Sequence, residues 1–267
     1  MTGPPPPAPP SPALRVAWAA ATDPGRRRST NEDSYAARPD LGLFVVADGM
    51  GGHVAGEVAS RLSVASLVAS VEATRGAADE VTISVDPLLG LPGSRLRDAF
   101  KRASRQLAAA VKDDAALRGM ATTTSAVLVQ GEEAAIGHVG DSRVYLARDG
   151  RVERITDDHS WVEEQVHAGM LDRRVAERHP WRNVVTRALS GGDEPQVDYR
   201  TMRLQPGDRL LLCSDGLHGV VGEARLADAL DHHTGDLDAL CRQLVDEANA
   251  AGGPDNITLV VLAIHAP

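Results

Sequence analysis

Apolar residues recur along the chain at two spacings, and the switches between them outline the fold. RVAWAAATD over 15–23 and LGLFVVADG over 41–49 read as strands, the second almost wholly apolar and closed by glycine. From Gly56 to Ala73 apolar residues fall at 58, 59, 62, 65, 68 and 69, a helical spacing. Residues 74–93 carry Gly, Pro and Asp without a period and read as a loop. A second helix is predicted from about Ser94 to Leu117, with Leu96, Ala99, Phe100, Ala103 and Leu107 on one face. Three strands follow at 122–130, 133–140 and 143–149, the last closed by the Asp149-Gly150 turn signal. Residues 157–193 are polar and helix-like with few apolar anchors. Strands at 197–204 and 208–213, a helix over 236–251 and a last strand over 257–264 complete the pattern. Short turns between consecutive strands favour antiparallel pairing, and the helices fall in two groups, near 55–117 and 217–251. That order predicts an α+β sandwich and not alternating βαβ units.

Composition narrows the function. Residues 1–13, MTGPPPPAPPSPA, cannot pack and are expected to be a disordered tail, leaving 14–267 as one folded domain. The net charge of −9 argues against a nucleic-acid groove or an anionic membrane surface. The two cysteines, Cys213 and Cys241, form no CxxC pair, and neither begins a C-x5-R loop, since Gly219 and Glu247 stand where the arginine belongs. Cysteine-based phosphate ester hydrolysis is therefore disfavoured. Neither a P-loop nor a G-x-S-x-G elbow occurs. With no basic-then-apolar leader and no run of 18 apolar residues, the expected location is the cytoplasm.

The informative pattern is one of carboxylates. VVAD ending at Asp48, HVGD at Asp141 and LLCSD at Asp215 each close an apolar strand with aspartate followed by Gly or Ser, and Asp255 stands just before the strand 257–264. In an antiparallel sheet the end of one strand lies beside the start of its neighbour, so all four are able to meet on one rim. One Asp-Gly alone is a turn signal. Four after strong strand cores, with Asn31-Glu32-Asp33 nearby, form a group that would repel itself unless cations lay between its members. Oxygen donors without a His or Cys cluster suit hard ions, Mg²⁺ or Mn²⁺. Arg26, Arg27 and Arg28 precede the acidic triplet, and a guanidinium fork suits phosphate.

These residues together resemble the bacterial metal-dependent protein phosphatases of type 2C (PPM), which act on phosphoserine and phosphothreonine. The matching segments are Arg28-x-x-Asn31-Glu32-Asp33, Asp48-Gly-Met-Gly-Gly-His53 with Ala55-Gly56-Glu57, Gly140-Asp141-Ser142-Arg143, Ser214-Asp215-Gly216-Leu217 and Gly253-Pro254-Asp255-Asn256. They keep the family's order and span about residues 14–264. The resemblance implies a four-layer αββα sandwich of two packed, mostly antiparallel sheets flanked by helices. It implies that Asp48, the Gly49 carbonyl, Asp215 and Asp255 hold two Mn²⁺ or Mg²⁺ ions, and that Asp141, helped by Asp215, holds a third. Arg28 would hold the substrate phosphate, while Glu32 and Asp33 would position water behind the ligands. Asn256 would shape its loop. The implied reaction is direct hydrolysis by a water bridging the two metals, without a phosphoenzyme. Residues 157–193 resemble the family's flap.

One departure is plain: eukaryotic members carry a histidine acid where this chain has Met50, and His53 reads as structural. The implied partners are phosphorylated proteins, Ser/Thr kinases and their substrates among them, met by a monomer in the cytoplasm, with no nucleic acid and no membrane. A narrower rival on the same fold acts on a phosphorylated anti-sigma-factor antagonist. A rival of another class is a catalytically silent phosphoprotein-binding module. Asp158-His159 as a metal pair is a further, sharper alternative to a helix start at Asp158-His159-Ser160.

Overall fold

The computed structural model describes residues 14–51, 54–75, 83–192, 194–233 and 235–267; the Pro-rich stretch 1–13 and His53 lie outside them. Two antiparallel sheets are built from β1 (Arg15–Asp23), β2 (Asp33–Arg38), β3 (Leu43–Met50), β4 (Ala121–Thr122), β5 (Thr124–Gln130), β6 (Glu133–Val139), β7 (Arg143–Arg148), β8 (Arg151–Arg154), β9 (Leu189–Ser190), β10 (Asp198–Arg203), β11 (Arg209–Cys213) and β12 (Ile257–His265). One sheet runs β1-β12-β11-β7-β8; the other runs β10-β6-β5-β3-β4-β9, with β2 added against β3. Helices α1 (Val54–Ala73) and α2 (Gly90–Asp113) cover the outer face of the second sheet. Helices α5 (Asp215–Val221), α6 (Glu223–His232) and α7 (Leu237–Ala250) cover the outer face of the first. Two short helices, α3 (Trp161–His167) and α4 (Arg173–Ala176), lie in the segment 157–192.

Strand alternation explains why the central strands read as unbroken apolar runs. In β3, Leu43, Val45 and Ala47 pack against α1 and α2, while Phe44 and Val46 face the other sheet. In β12, Leu259 and Val261 face α7, while Val260, Leu262 and Ile264 meet Phe44 and Val46 between the sheets. A strand buried on both faces loses the polar half of its alternation. The result is the αββα sandwich the sequence implies.

Several boundaries differ from the sequence reading. The strand expected over 122–130 is divided at Thr123, whose N–H bonds the Asp48 carbonyl at 2.9 Å instead of continuing the ladder. The helix expected over 94–117 starts at Gly90 and ends at Asp113; Asp114 then caps a 3₁₀ turn by accepting the N–H of Ala116 at 2.9 Å. Strand β2 was not expected, because DSYAAR has too little apolar character to stand out.

The buried face of α1 is also not the apolar stripe alone. Ala65 and Ala69 are exposed, whereas Ser60, Ser63, Ser66 and Ser70 are buried beside Val64, Leu67 and Val71. Serines let the helix lie close to the sheet and bond into it: Ser60 donates to the Glu32 carbonyl at 2.6 Å, and Ser63 meets the Thr124 hydroxyl at 3.0 Å. By length and composition α1 would also span a bilayer, but here half of its apolar window is buried inside the fold.

The inter-sheet layer carries the stability. Phe44 is fully buried there, so Phe44→Ala is expected to cost about 3–5 kcal/mol. Denaturant unfolding checks this: the midpoint falls with little change in m, and a loss under about 1 kcal/mol would contradict the packing.

Candidate functional site

The rim foreseen from the carboxylates exists. Asp48 lies two residues before the end of β3, Asp141 two residues after β6, Asp215 at the first turn of α5 just beyond β11, and Asp255 two residues before β12. Asp33 opens β2 directly opposite Asp48. Cross-strand partners project to the same face, so the two carboxyls are neighbours. Asp48 is thus inside its strand and not past its end. It shares the face of Phe44 and Val46, which aims it between the sheets at the rim.

Local backbone contacts fix each acid. Thr122 Oγ1 donates to the Asp48 carbonyl at 2.8 Å; Thr123 accepts the Asp48 N–H at 3.2 Å and meets Ser142 Oγ at 2.7 Å. Glycine at 49 is required by space: a Cβ there would stand 2.1 Å from the Gly56 carbonyl and 2.7 Å from that of Glu32. Gly25, at φ 79°, turns the chain under Asp255, where a Cβ would lie 2.2 Å from the Asp255 carbonyl. Asn256 binds the same turn, donating to the Pro24 and Thr30 carbonyls at 3.0 and 2.9 Å and accepting the Glu32 N–H at 2.8 Å. That is the loop-shaping work expected of it.

The charges are poorly compensated by the protein. Ser214 Oγ donates to Asp33 Oδ2 at 2.7 Å, and Arg28 Nη2 reaches Asp255 Oδ2 at 2.7 Å from a half-exposed side chain. Asp33 Oδ1 and Asp215 Oδ1 are buried without a hydrogen-bond partner. Burial pushes the Asp33 carboxyl up to about 7, with Asp215 and Asp255 adding repulsion. Burial, then Asp255, raises Asp215 to about 6. Asp48 and Asp141 are raised well above the usual range by burial first and by neighbouring aspartates next. Orphaned buried oxygens in an all-carboxylate set are what a hard divalent cation fits. Among the described residues, His218 at the rim is occupied: its Nε2 bonds the Asp141 carbonyl at 3.0 Å.

Beside the aspartates opens a cleft of about 620 Å³, reached by Asp141, Asp215 and Asp255 on one side and by Glu163, Arg173 and Arg182 of the segment 157–192 on the other. Asp158 and His159 do not form a metal pair; Asp158 is engaged by Arg143 and His159 by Gly140 and Asp198. Sequence reading missed Thr122, Thr123, Ser142 and Ser214 as supports of the site. Their only signal was polar residues flanking the strand ends.

Comparison with known proteins agrees with this geometry. The family model Protein phosphatase 2C matches residues 25–254. The serine/threonine protein phosphatase PstP of Mycobacterium tuberculosis is 38% identical over 249 residues, which cover 93% of this chain and 45% of PstP. The chain thus spans about half the length of that relative. Protein phosphatase PhpP of Streptococcus pneumoniae is 34% identical over 250 residues, covering 91% of this chain and 96% of PhpP. The crystal structure of the PstP catalytic domain in complex with two manganese ions superposes with a TM-score of 0.80 at 34% identity, covering 95% of this chain and 100% of that one.

Crowding has a measurable sign. A carboxyl whose folded pKa exceeds its unfolded one loses stability as pH rises from the unfolded value to the folded one; for Asp215 that window runs from 3.8 to about 6. In EDTA, Asp215→Asn is therefore expected to be more stable than wild type at pH 7.5 by roughly 3 kcal/mol, a gain that vanishes towards pH 4. If Asp215 is one of the ligands, adding Mg²⁺ should reverse the order, because only wild type then offers the whole carboxylate set. Thermal melts of both proteins across pH decide it: equal melting temperatures in EDTA at every pH would contradict the repulsion.

Proposed function

The chain belongs to the protein phosphatase 2C family, and from that premise we propose that it is a metal-dependent phosphatase removing phosphate from phosphoserine and phosphothreonine on proteins. The observation that carries the reading is the rim of buried, uncompensated carboxylates, with two oxygens left without partners. Asp48, the Gly49 carbonyl, Asp215 and Asp255 would hold two Mn²⁺ or Mg²⁺ ions, and Asp141 with Asp215 a third. Such ions, when bound, supply Lewis-acid charge for the phosphoryl oxygens and a water of lowered pKa as nucleophile.

The chain's own residues do the rest. Arg28 leaves Asp255 to fork onto the equatorial phosphate oxygens, a move its half-exposed side chain permits. Asp33 Oδ1, buried and without a donor, is an acceptor that orients water. Glu32, held by Asn256 through its N–H, lies beside it and its carboxylate abuts Gly56. Met50 offers no proton.

The segment 157–192 acts as the flap, and the cleft beside it admits the phosphoprotein. The substrates would include Ser/Thr kinases and their targets, with the enzyme acting as a monomer in the cytoplasm. A silent phosphoprotein-binding module is the poorer reading, since simple binding gives no reason to gather so many buried carboxylates beside Arg28.

Phosphate release from a phosphothreonine peptide tests the proposal, measured with Mn²⁺, with Mg²⁺ and with EDTA. Release is expected with either metal, none in EDTA, and a fall of at least about 100-fold in a folded Asp48→Ala variant. Arg28→Ala should retain metal binding while lowering kcat/KM at least about 10-fold. No release from folded wild type under either metal would transfer the case to the silent module.

A further inference from the structure

The triplet Asp158-His159-Ser160 takes no part in the chemistry above, yet it joins the segment 157–192 to the acidic rim. Its first two residues grip both flanks of Asp141. Gly140, just before it, donates its N–H to His159 Nδ1 at 3.1 Å, and the Gly140 carbonyl accepts the His159 N–H at 2.7 Å. Arg143, two residues after Asp141, forms a two-pronged ion pair with Asp158 at 2.9 and 2.7 Å.

His159 is fully buried. Because Nδ1 accepts, Nε2 carries the proton and faces Asp198 Oδ2 on β10 at 3.1 Å. Burial lowers the imidazole's pKa, which keeps this neutral tautomer. The carboxylate, the imidazole and the Gly140 amide thus form one relay.

The same triplet fastens both ends of the segment. Ser160 Oγ accepts the Glu163 N–H at 3.4 Å and starts α3. The His159 carbonyl accepts from Thr186, and Trp161 donates to the Val184 carbonyl, both at 2.8 Å. Few apolar side chains assist: Val162, Ala176 and, in β9, Leu189 are buried, while Met170, Val175, Trp181 and Val184 are exposed.

We propose that Asp158 and His159 are positioning residues for Asp141, and that, because Ser160 ties the same backbone to the segment 157–192, cation binding at Asp141 and the placement of that segment are linked. The inference rests on the reading of Asp141 as a cation ligand. Linkage is reciprocal: whatever shifts the segment alters the affinity at Asp141, and a cation at Asp141 steadies the segment. Partners that orient metal ligands typically contribute about 10–100-fold in affinity.

The test uses the full chain, with Mg²⁺ as the probe. Calorimetric titration reads the weakest Mg²⁺ binding, and trypsin reads the segment at Arg173, Arg174 and Arg178. In wild type, Mg²⁺ should slow that cleavage. In Asp158→Asn and His159→Leu the weakest binding should fall about 10-fold and the Mg²⁺-dependent protection should disappear, with tighter binding intact. His159→Asn, which retains an acceptor near the Nδ1 position, should recover most of both. Unchanged weak binding and protection in folded Asp158→Asn and His159→Leu would overturn the proposal, as would wild-type cleavage that ignores Mg²⁺. Should His159→Leu fail to fold, Asp158→Asn and His159→Asn decide. If Asp141→Ala binds Mg²⁺ as wild type does, the fault lies in the reading of Asp141, and the inference falls with it.

Discussion

Repulsion among buried carboxylates is the constraint on which the molecule depends. Two like charges about 4 Å apart cost about 4 kcal/mol at the effective dielectric of a protein surface, and this rim gathers Asp33, Asp48, Asp141, Asp215 and Asp255. The protein supplies only modest relief, chiefly Arg28 on Asp255 and Ser214 on Asp33. A site of this kind can be held together only by a scaffold whose own stability does not depend on it. The three apolar layers, two between sheet and helices and one between the sheets, supply that scaffold.

The acids are the continuation of the inter-sheet layer. Along β3 the inward series is Phe44, Val46, Asp48; along β11 it is Leu210, Leu212 and then Ser214; along β12 it is Thr258, Val260, Leu262, Ile264. Where the apolar series ends, polar residues take its place without a change of register. A slip of one residue would send Asp48 towards the helices and Ala47 into the gap between the sheets. Burial on both faces forbids that slip, so the packing that stabilises the sandwich also aims the carboxylates. Gly49 follows from the same closeness, since β3 meets the start of α1 backbone to backbone at this level.

This coupling of packing to site explains what was legible in the sequence. Strands buried on both faces announce themselves as apolar runs, and an aspartate closing such a run is visible because it is the first acid after the apolar core. Asp48, Asp141 and Asp215 were readable for that reason, and the sandwich was readable from the order of runs and helices. Strand β2 was not, because it pairs on one side only and Asp33 alone of its residues is buried. The buried serine face of α1 was hidden because the helical period was counted on apolar side chains only. Thr123 looked like one more strand residue, and its bonds to Asp48 and Ser142 exist only once three separate segments have met. Asp158-His159-Ser160 showed a cap, but Gly140, Arg143 and Asp198 lie 15–39 residues away in sequence.

The contrast between sandwich and segment 157–192 follows from the kind of force that holds each. The sandwich rests on apolar burial, which salt does not screen. The segment rests on ionic pairs: Arg143 with Asp158, Arg154 near Asp158 and Glu163, and Arg173 on Glu163 at 2.6 Å. Pairs with an exposed partner contribute little each, because water and salt compete for both charges. Of these, only the pair of Arg173 with Glu163 has such a partner. The floor of the segment is different: Asp158 and Arg143 are nearly buried, and breaking such a pair strands a charge. With Arg154 nearly buried against Asp158 and Glu163 as well, the segment is pinned to the sheets where the chain leaves the rim.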